Sequence, residues 1–223
     1  MLAAIDAEGA DEIWCLGDTV GYGPRPNECV ALVRERTSIC LAGNHDLVVL
    51  GKLDHFAFVD EAAVAADWTR TVLDADATEF LAGLEPSGTA PGVELFHGSA
   101  RDPVWDYVLD DAAARATLAA TSAPLVLVGH SHVALEISGG GRLRGGQAAS
   151  GTVLDLDASR RILNPGSVGQ PRDGDPRASW LVIEAVPRRA TFRRTDYPIG
   201  LTQAEMHERD LPEILSERLA HGA

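Results

Sequence analysis

Gly43-Asn44-His45-Asp46 follows directly on the apolar run Ser38-Ile39-Cys40-Leu41-Ala42, and this junction decides how the chain is read. The run reads as a buried strand, and the residues after it put an amide, an imidazole and a carboxylate in consecutive positions at the strand's end. Such a turn suits chemistry better than packing. Three further clusters repeat the arrangement: Leu16-Gly17-Asp18, Phe96-His97-Gly98 and Gly129-His130-Ser131-His132. Open α/β sheets gather their ligand sites beyond the carboxyl ends of strands, so four such ends can converge on one point.

Working outward, Glu12 to Leu16 is a short strand that delivers Asp18, and Tyr22-Gly23-Pro24-Arg25-Pro26 is turn chemistry. Asn27 to Arg36 is a helix with Val30, Leu32 and Val33 suited to one face, and it returns the chain to the opening stretch. Met1 to Glu8, closed by Gly9, reads as the tail of a helix with no strand leading into it. Leu47 to Leu84 is helical, with Asp60 and Asp76 as N-caps and Trp68, Val72, Phe80 and Leu81 as core positions. His55, beside Phe56 and Phe58, reads as a packed or surface histidine and stays outside the site. Val93 to Phe96 and Leu125 to Val128 are strands that run straight into the two histidine clusters. Val133 to Ile137, Gly151 to Leu156, Arg161 to Leu163, Ser179 to Ile183 and Ala190 to Arg194 are further strands without long helices between them, so this half is antiparallel or mixed. The Gly139-Gly140-Gly141 and Gly145-Gly146 stretches read as surface loops, and Thr202 to Leu219 as helical with Pro212 interrupting it or opening a second short helix.

The 223 residues, 45% of them hydrophobic, fit one domain with a sizeable core. A formal net charge of -14 leaves no basic stripe to neutralise a phosphate backbone, which argues against nonspecific nucleic-acid binding. Cys15, Cys29 and Cys40 are odd in number, lack Cys-x-x-Cys spacing and read as reduced core thiols. With no signal core and no apolar run near bilayer length, the expectation is a cytoplasmic protein with no membrane partner.

A single histidine is most simply a satisfied polar group, but the clusters weigh together. Asp18, Asn44, His97 and His130 supply carboxylate, amide and imidazole donors, a mixed nitrogen and oxygen set suited to zinc, manganese or iron and unlike an all-oxygen calcium or magnesium cage. His132, two residues on, can share a face with His130 on extended backbone or straddle a second ion in a loop. Two metals become the natural expectation.

The ordered set Gly17-Asp18, Gly43-Asn44-His45-Asp46, His97-Gly98 and Gly129-His130-Ser131-His132 resembles the calcineurin-like metallophosphoesterases, in particular the small bacterial and archaeal phosphodiesterase type. The segment Asn164-Pro165-Gly166-Ser167-Val168-Gly169-Gln170-Pro171-Arg172 resembles that branch too, so the likeness covers nearly the whole chain. It implies a four-layer αββα sandwich, two mixed β-sheets flanked by helices, over residues 1–223 as a single domain. It also implies a centre of two divalent ions (manganese, iron, zinc or nickel), with Asp18 bridging, Asn44, His97 and His130 completing one ion, and His132 on the other. The family's Asp-x-His motif, which belongs on a strand ahead of the first helix, is absent. The expectation is therefore a chain truncated at its amino end, without its first strand and with an incomplete second ion site.

The resemblance further implies hydrolysis of a phosphoric ester, metal-bound hydroxide attacking phosphorus in line while His45 assists the leaving group. Asp46 would orient that imidazole, with capping of the local turn an equal alternative. Tyr22, Asn164 and Arg172 are weaker candidates for lining the substrate pocket, against ordinary loop packing. The expected partner is a small phosphoester, with nucleotides among the candidates, and a homo-oligomer is left open. A catalytically impaired metal-binding or regulatory remnant is the competing class, because the first motif is missing. A nuclease is disfavoured by acidity, and a metallo-β-lactamase-like hydrolase by the lack of His-x-His-x-Asp-His.

Overall fold

The structure, a computed structural model, describes residues 1–54, 58–139 and 142–223. His55 and Gly140-Gly141 therefore lie outside the described residues. Among the described residues no helix is long and apolar enough to cross a membrane.

Two layers of strand face each other. One is a six-stranded mixed sheet of β3 (Ser87–Ala90), β4 (Val93–Phe96), β5 (Leu125–Val128), β9 (Arg161–Pro165), β6 (Ala134–Ser138) and β7 (Arg144–Gln147), in that order. Within it β4, β5 and β9 run parallel, and the other pairings are antiparallel. The facing layer comprises the parallel pair β1 (Trp14–Cys15) and β2 (Ile39–Cys40), and an antiparallel three-stranded sheet ordered β10 (Ala178–Ala185), β11 (Arg188–Thr195), β8 (Val153–Asp155). Each of β1 and β10 keeps one edge without a strand partner among the described residues.

Alternation explains the sandwich. Leu125 and Leu127 of β5 turn inward to a core shared with Leu41, Leu95, Leu163, Ala190 and Phe192, against which Trp14, Leu16, Ile39, Leu181 and Ile183 also pack. Val126 and Val128 turn outward to Ile162, Phe96 and helix α6 (Asp111–Ala120) through Ala114 and Leu118. A strand buried on both faces reads as a continuous apolar run, and Leu125-Val126-Leu127-Val128 does so. Helices α2 (Pro26–Arg36), α3 (Asn44–Val49), α4 (Asp60–Val72) and α5 (Ala75–Ala82) gather around Val30, Val48, Ala66 and Leu81. The closing helices α7 (Ile199–Glu208) and α8 (Glu213–Leu219), the latter opened by Pro212, pack on Ala65 through Met206 and Leu215. α1 (Leu2–Glu8) ends at Gly9 in the left-handed region and is tied to α2 by the Arg36 and Asp6 ion pair. The layered αββα architecture is as read from the sequence.

Several local expectations differ. The stretch Gly43-Asn44-His45-Asp46 is the start of α3 rather than a free turn, and the strand ahead of it is only half-buried at Ile39 and Cys40. Leu32 and Val72 are exposed, since they fall off the buried faces of α2 and α4. α4 and α5 are capped one or two residues earlier than expected, by Val59 and by Asp74, whose side chain accepts from the Ala77 N–H. Gly145 and Gly146 belong to β7, where backbone pairing with β6 replaces side-chain packing. Cys29 is exposed on α2 rather than in the core. Helix α6 and strand β3 lay outside the elements read from sequence.

Candidate metal centre

Four strand ends meet where the sandwich opens. Asp18 follows β1, Asn44 and His45 follow β2, His97 follows β4, and His130 and His132 follow β5. Asp18, His130 and His132 all sit at positive φ, 54°, 59° and 59°, a conformation that costs a non-glycine residue free energy and persists where surrounding structure requires it. The backbones press together beneath them. A side-chain carbon at Gly43 would lie 2.0 Å from Asp18 Oδ1, and one at Gly21 would lie 2.5 Å from His45 Nδ1, so glycine at both positions is a condition of the site.

Ligand atoms of Asp18, His97 and His130 lie within 4.8 Å of one another. His97 Nδ1 is 2.7 Å from the Leu16 carbonyl and so carries the proton, which leaves the Nε2 lone pair facing Asn44 Oδ1 at 3.1 Å, His130 Nδ1 at 3.2 Å and Asp18 Oδ2 at 3.4 Å. His130 Nε2 donates to the Trp105 carbonyl at 3.2 Å, so its Nδ1 is also a lone pair. His132 Nδ1 donates to the Gln170 carbonyl at 2.7 Å, freeing its Nε2. Each imidazole is thus fixed by a carbonyl behind it with its free nitrogen forward, the arrangement by which proteins present histidine to a metal.

The donor set fits a divalent cation on two observations. Two imidazole lone pairs and an amide oxygen face one another at hydrogen-bond distance with no proton left between them, a repulsive contact that a cation relieves. Asp18 Oδ2 is buried and has no hydrogen-bond partner among the described residues, whereas Oδ1 accepts from the His45 N–H at 2.9 Å. Burial pushes the Asp18 carboxyl up, but the imidazoles of His97, His45, His132 and His130 outweigh it and bring it to about 2. Burial takes His130 down to about 4 and His132 to about 3, so both are neutral and able to donate lone pairs at pH 7.

His45 is buried between two rings, Tyr22 and Phe58, each 4.3 Å from it between centroids. Its Nδ1 has no partner, and burial lowers it to about 4. Asp46 does not orient this imidazole. Its Oδ2 accepts from the Gly43 N–H at 2.8 Å and its Oδ1 from the Val20 N–H at 3.2 Å, so it caps α3 and ties it to the loop after β1. Asn164 is likewise structural: it is buried, donates to Ser131 Oγ at 3.0 Å and accepts from the Gly166 N–H at 2.9 Å, with no group left for a substrate.

Tyr22 and Arg172 do reach the site. Arg172 Nη2 donates to the Tyr22 hydroxyl at 3.2 Å and to Gln170 Oε1 at 2.9 Å, and the Arg172 N–H donates to the His132 carbonyl at 3.0 Å. Sequence reasoning missed Tyr107, which stacks on His130 at 4.0 Å, and Trp105, whose carbonyl fixes that ring. Both lie in the loop after His97-Gly98, and their aromatic spacing in Trp105-Asp106-Tyr107 was the available signal.

The sequence model of the calcineurin-like phosphoesterase superfamily domain matches residues 1–186. An uncharacterized protein of Methanocaldococcus jannaschii is 34% identical over 227 residues, covering 100% of this chain and 91% of that protein. The crystal structure of a metallophosphoesterase from Sphaerobacter thermophilus superposes with a TM-score of 0.90 at 42% identity, covering 100% of this chain and 93% of that one. A hypothetical protein from Pyrococcus horikoshii shares the fold, with a TM-score of 0.77 at 18% identity and coverage of 100% and 90%.

Proposed function

The chain belongs to the calcineurin-like phosphoesterase superfamily, and on that premise we propose that it is a metal-dependent hydrolase of phosphoric diesters. Asp18, Asn44, His97 and His130 would hold one divalent ion, and Asp18 with His132 would contribute to a second. The observation that carries the reading is the convergence of imidazole lone pairs and the Asn44 amide oxygen on the orphaned Asp18 oxygen, each imidazole fixed from behind by a main-chain carbonyl. Divalent ions at such a centre lower the pKa of water toward neutrality and neutralise a phosphoryl group's charge.

The chain's own residues divide the remaining work. His45, neutral above about pH 4, supplies a neutral imidazole beside the centre, of a kind suited to a hydrogen bond with the leaving oxygen and to passing it a proton. Tyr22 and Phe58 pack against that ring. Arg172 stands by His132 and Tyr22 with no carboxylate partner among the described residues, a cation available to phosphate oxygens. The substrate class is a small phosphoester, nucleotides included, hydrolysed in the cytoplasm without membrane or nonspecific nucleic-acid contact.

The test separates binding from chemistry. Equilibrium dialysis against manganese followed by elemental analysis should find bound ion in the wild type and in His45→Ala, and a large loss in His97→Ala. Equal retention in His97→Ala would remove His97 from the centre.

A further inference from the structure

Two thiols outside the ligand set remain without a role, and they sit on the strands that feed it. Cys15 and Cys40 are register partners in the parallel pairing of β1 and β2, so their side chains leave the same face at adjacent positions. Trp14, Leu16, Ile39 and Leu41 turn the other way, into the sandwich core. Cys15 precedes Asp18 by three residues and Cys40 precedes Asn44 by four. Both thiols are half-buried rather than sealed, and Cys40 lines an open cleft of about 370 Å³ together with Ile39, Phe80 and Gly88.

We propose that Cys15 and Cys40 are a reversible dithiol–disulfide pair that staples the two strands carrying Asp18 and Asn44 and so sets the grip of the metal centre. Regulation of that centre rests on the proposed metal-dependent function. Directly paired strands bring α-carbons into the range a disulfide spans but hold β-carbons somewhat wide for one, which makes such a bridge easy to reduce, a property of switching rather than structural disulfides. The thiols are also coupled chemically: the neighbouring Cys40 thiol, outweighing burial, brings Cys15 to about 7, while Cys15 pushes Cys40 up. At rest the sulfurs face the Gly17 carbonyl and Thr19 hydroxyl (Cys15) and the Leu41 carbonyl (Cys40). The pair therefore offers one thiolate near neutral pH and one protonated partner.

The chemistry balances with a peroxide as oxidant. The Cys15 thiolate attacks one peroxide oxygen, the O–O bond breaks, and with one proton a sulfenic acid and water result. The Cys40 sulfur then attacks the Cys15 sulfur, forming the S–S bond and releasing the second water; a small dithiol reverses both changes. The structural consequence is local. A side-chain carbon at Gly17 would lie 2.7 Å from the Gly43 N and 2.8 Å from His97 Nδ1, so the loops leaving β1 and β2 have no slack between them. Drawing the two strands together must displace Asp18 relative to Asn44.

The experiment uses the full chain in a Cys29→Ser background, which removes the exposed third thiol and intermolecular bridging. After stoichiometric hydrogen peroxide, intact mass should fall by two hydrogens, peptide mapping should join the segments holding Cys15 and Cys40, and manganese affinity should drop about tenfold, a loss typical when support behind a metal ligand is disturbed. Dithiothreitol should restore both mass and affinity, and Cys40→Ser should show neither change. Unchanged mass, gain of oxygen in place of loss of hydrogen, or a bridge that leaves manganese affinity where it was would each overturn the proposal. If manganese binds in neither redox state, the metal-dependent function fails, and the mass measurement still reports whether the bridge forms.

Discussion

At the scale of single residues, neighbours in sequence carry unlike tasks. His45 and Asp46 are adjacent, yet the imidazole lies between Tyr22 and Phe58 while the carboxylate is consumed by the Gly43 and Val20 N–H groups. His45→Ala should therefore reduce turnover by ~10²- to 10⁴-fold, the range for loss of a positioned proton donor, while manganese content stays constant. Parallel loss of both would assign His45 to metal retention. Asp46→Ala should instead lower stability by about 2 kcal/mol in urea unfolding, since it strips a cap and strands two buried N–H groups, and an unchanged midpoint would contradict the capping role. The clustering of Asp18, Asn44, His97 and His130 was legible because their residue types state ligand chemistry and each follows a strand. The duties of Asp46 and Asn164 were not, because a side chain that serves a backbone N–H looks the same in sequence as one that serves a substrate.

Among elements, apolar runs were decisive. Leu125-Val126-Leu127-Val128 announced a strand; the structure buries it on both faces, and its inward residues meet Phe192 of β11 across the sandwich. Phe192→Ala should cost about 3–5 kcal/mol of stability, measured by denaturant unfolding, because the residue is 1% exposed and the two sheets cannot close on the space it leaves. A cost below 1 kcal/mol would mean that the sheets pack elsewhere. β3 and β7 escaped notice because Ser87-Gly88-Thr89-Ala90 and Arg144-Gly145-Gly146-Gln147 are held by edge pairing and bury little. The loops at the strand ends bring a pH dependence. An unfolded imidazole takes a proton near pH 6.5. His45, His130 and His132 resist until about 4, 4 and 3, so below 6.5 the unfolded chain binds more protons and the metal-free fold weakens. Asp46, pushed up by burial, works in the opposite direction. The net prediction is that unfolding free energy of the metal-free protein falls between pH 6.5 and 5, by at most about 2 kcal/mol per imidazole. A rise over that window would contradict the burial of neutral histidines.

For the whole molecule, the balance of charge frames the site. An acidic chain of net charge -14 repels anionic substrates at long range, so the attraction a phosphoester needs must be supplied locally, by Arg172 and by cations on the Asp18 cluster. Four strands separated by up to 112 positions in sequence, from Asp18 to His130, deliver their ends to one opening of the sandwich, and this convergence is what the family likeness and the donor geometry share. The most direct measurement is hydrolysis of a chromogenic phosphodiester as manganese is titrated into metal-free protein. The account predicts turnover that rises and saturates with bound manganese, disappears with a chelator, and is absent in His97→Ala at the same manganese concentration. Manganese bound at Asp18, His97 and His130 without any turnover, or turnover indifferent to the chelator, would contradict it.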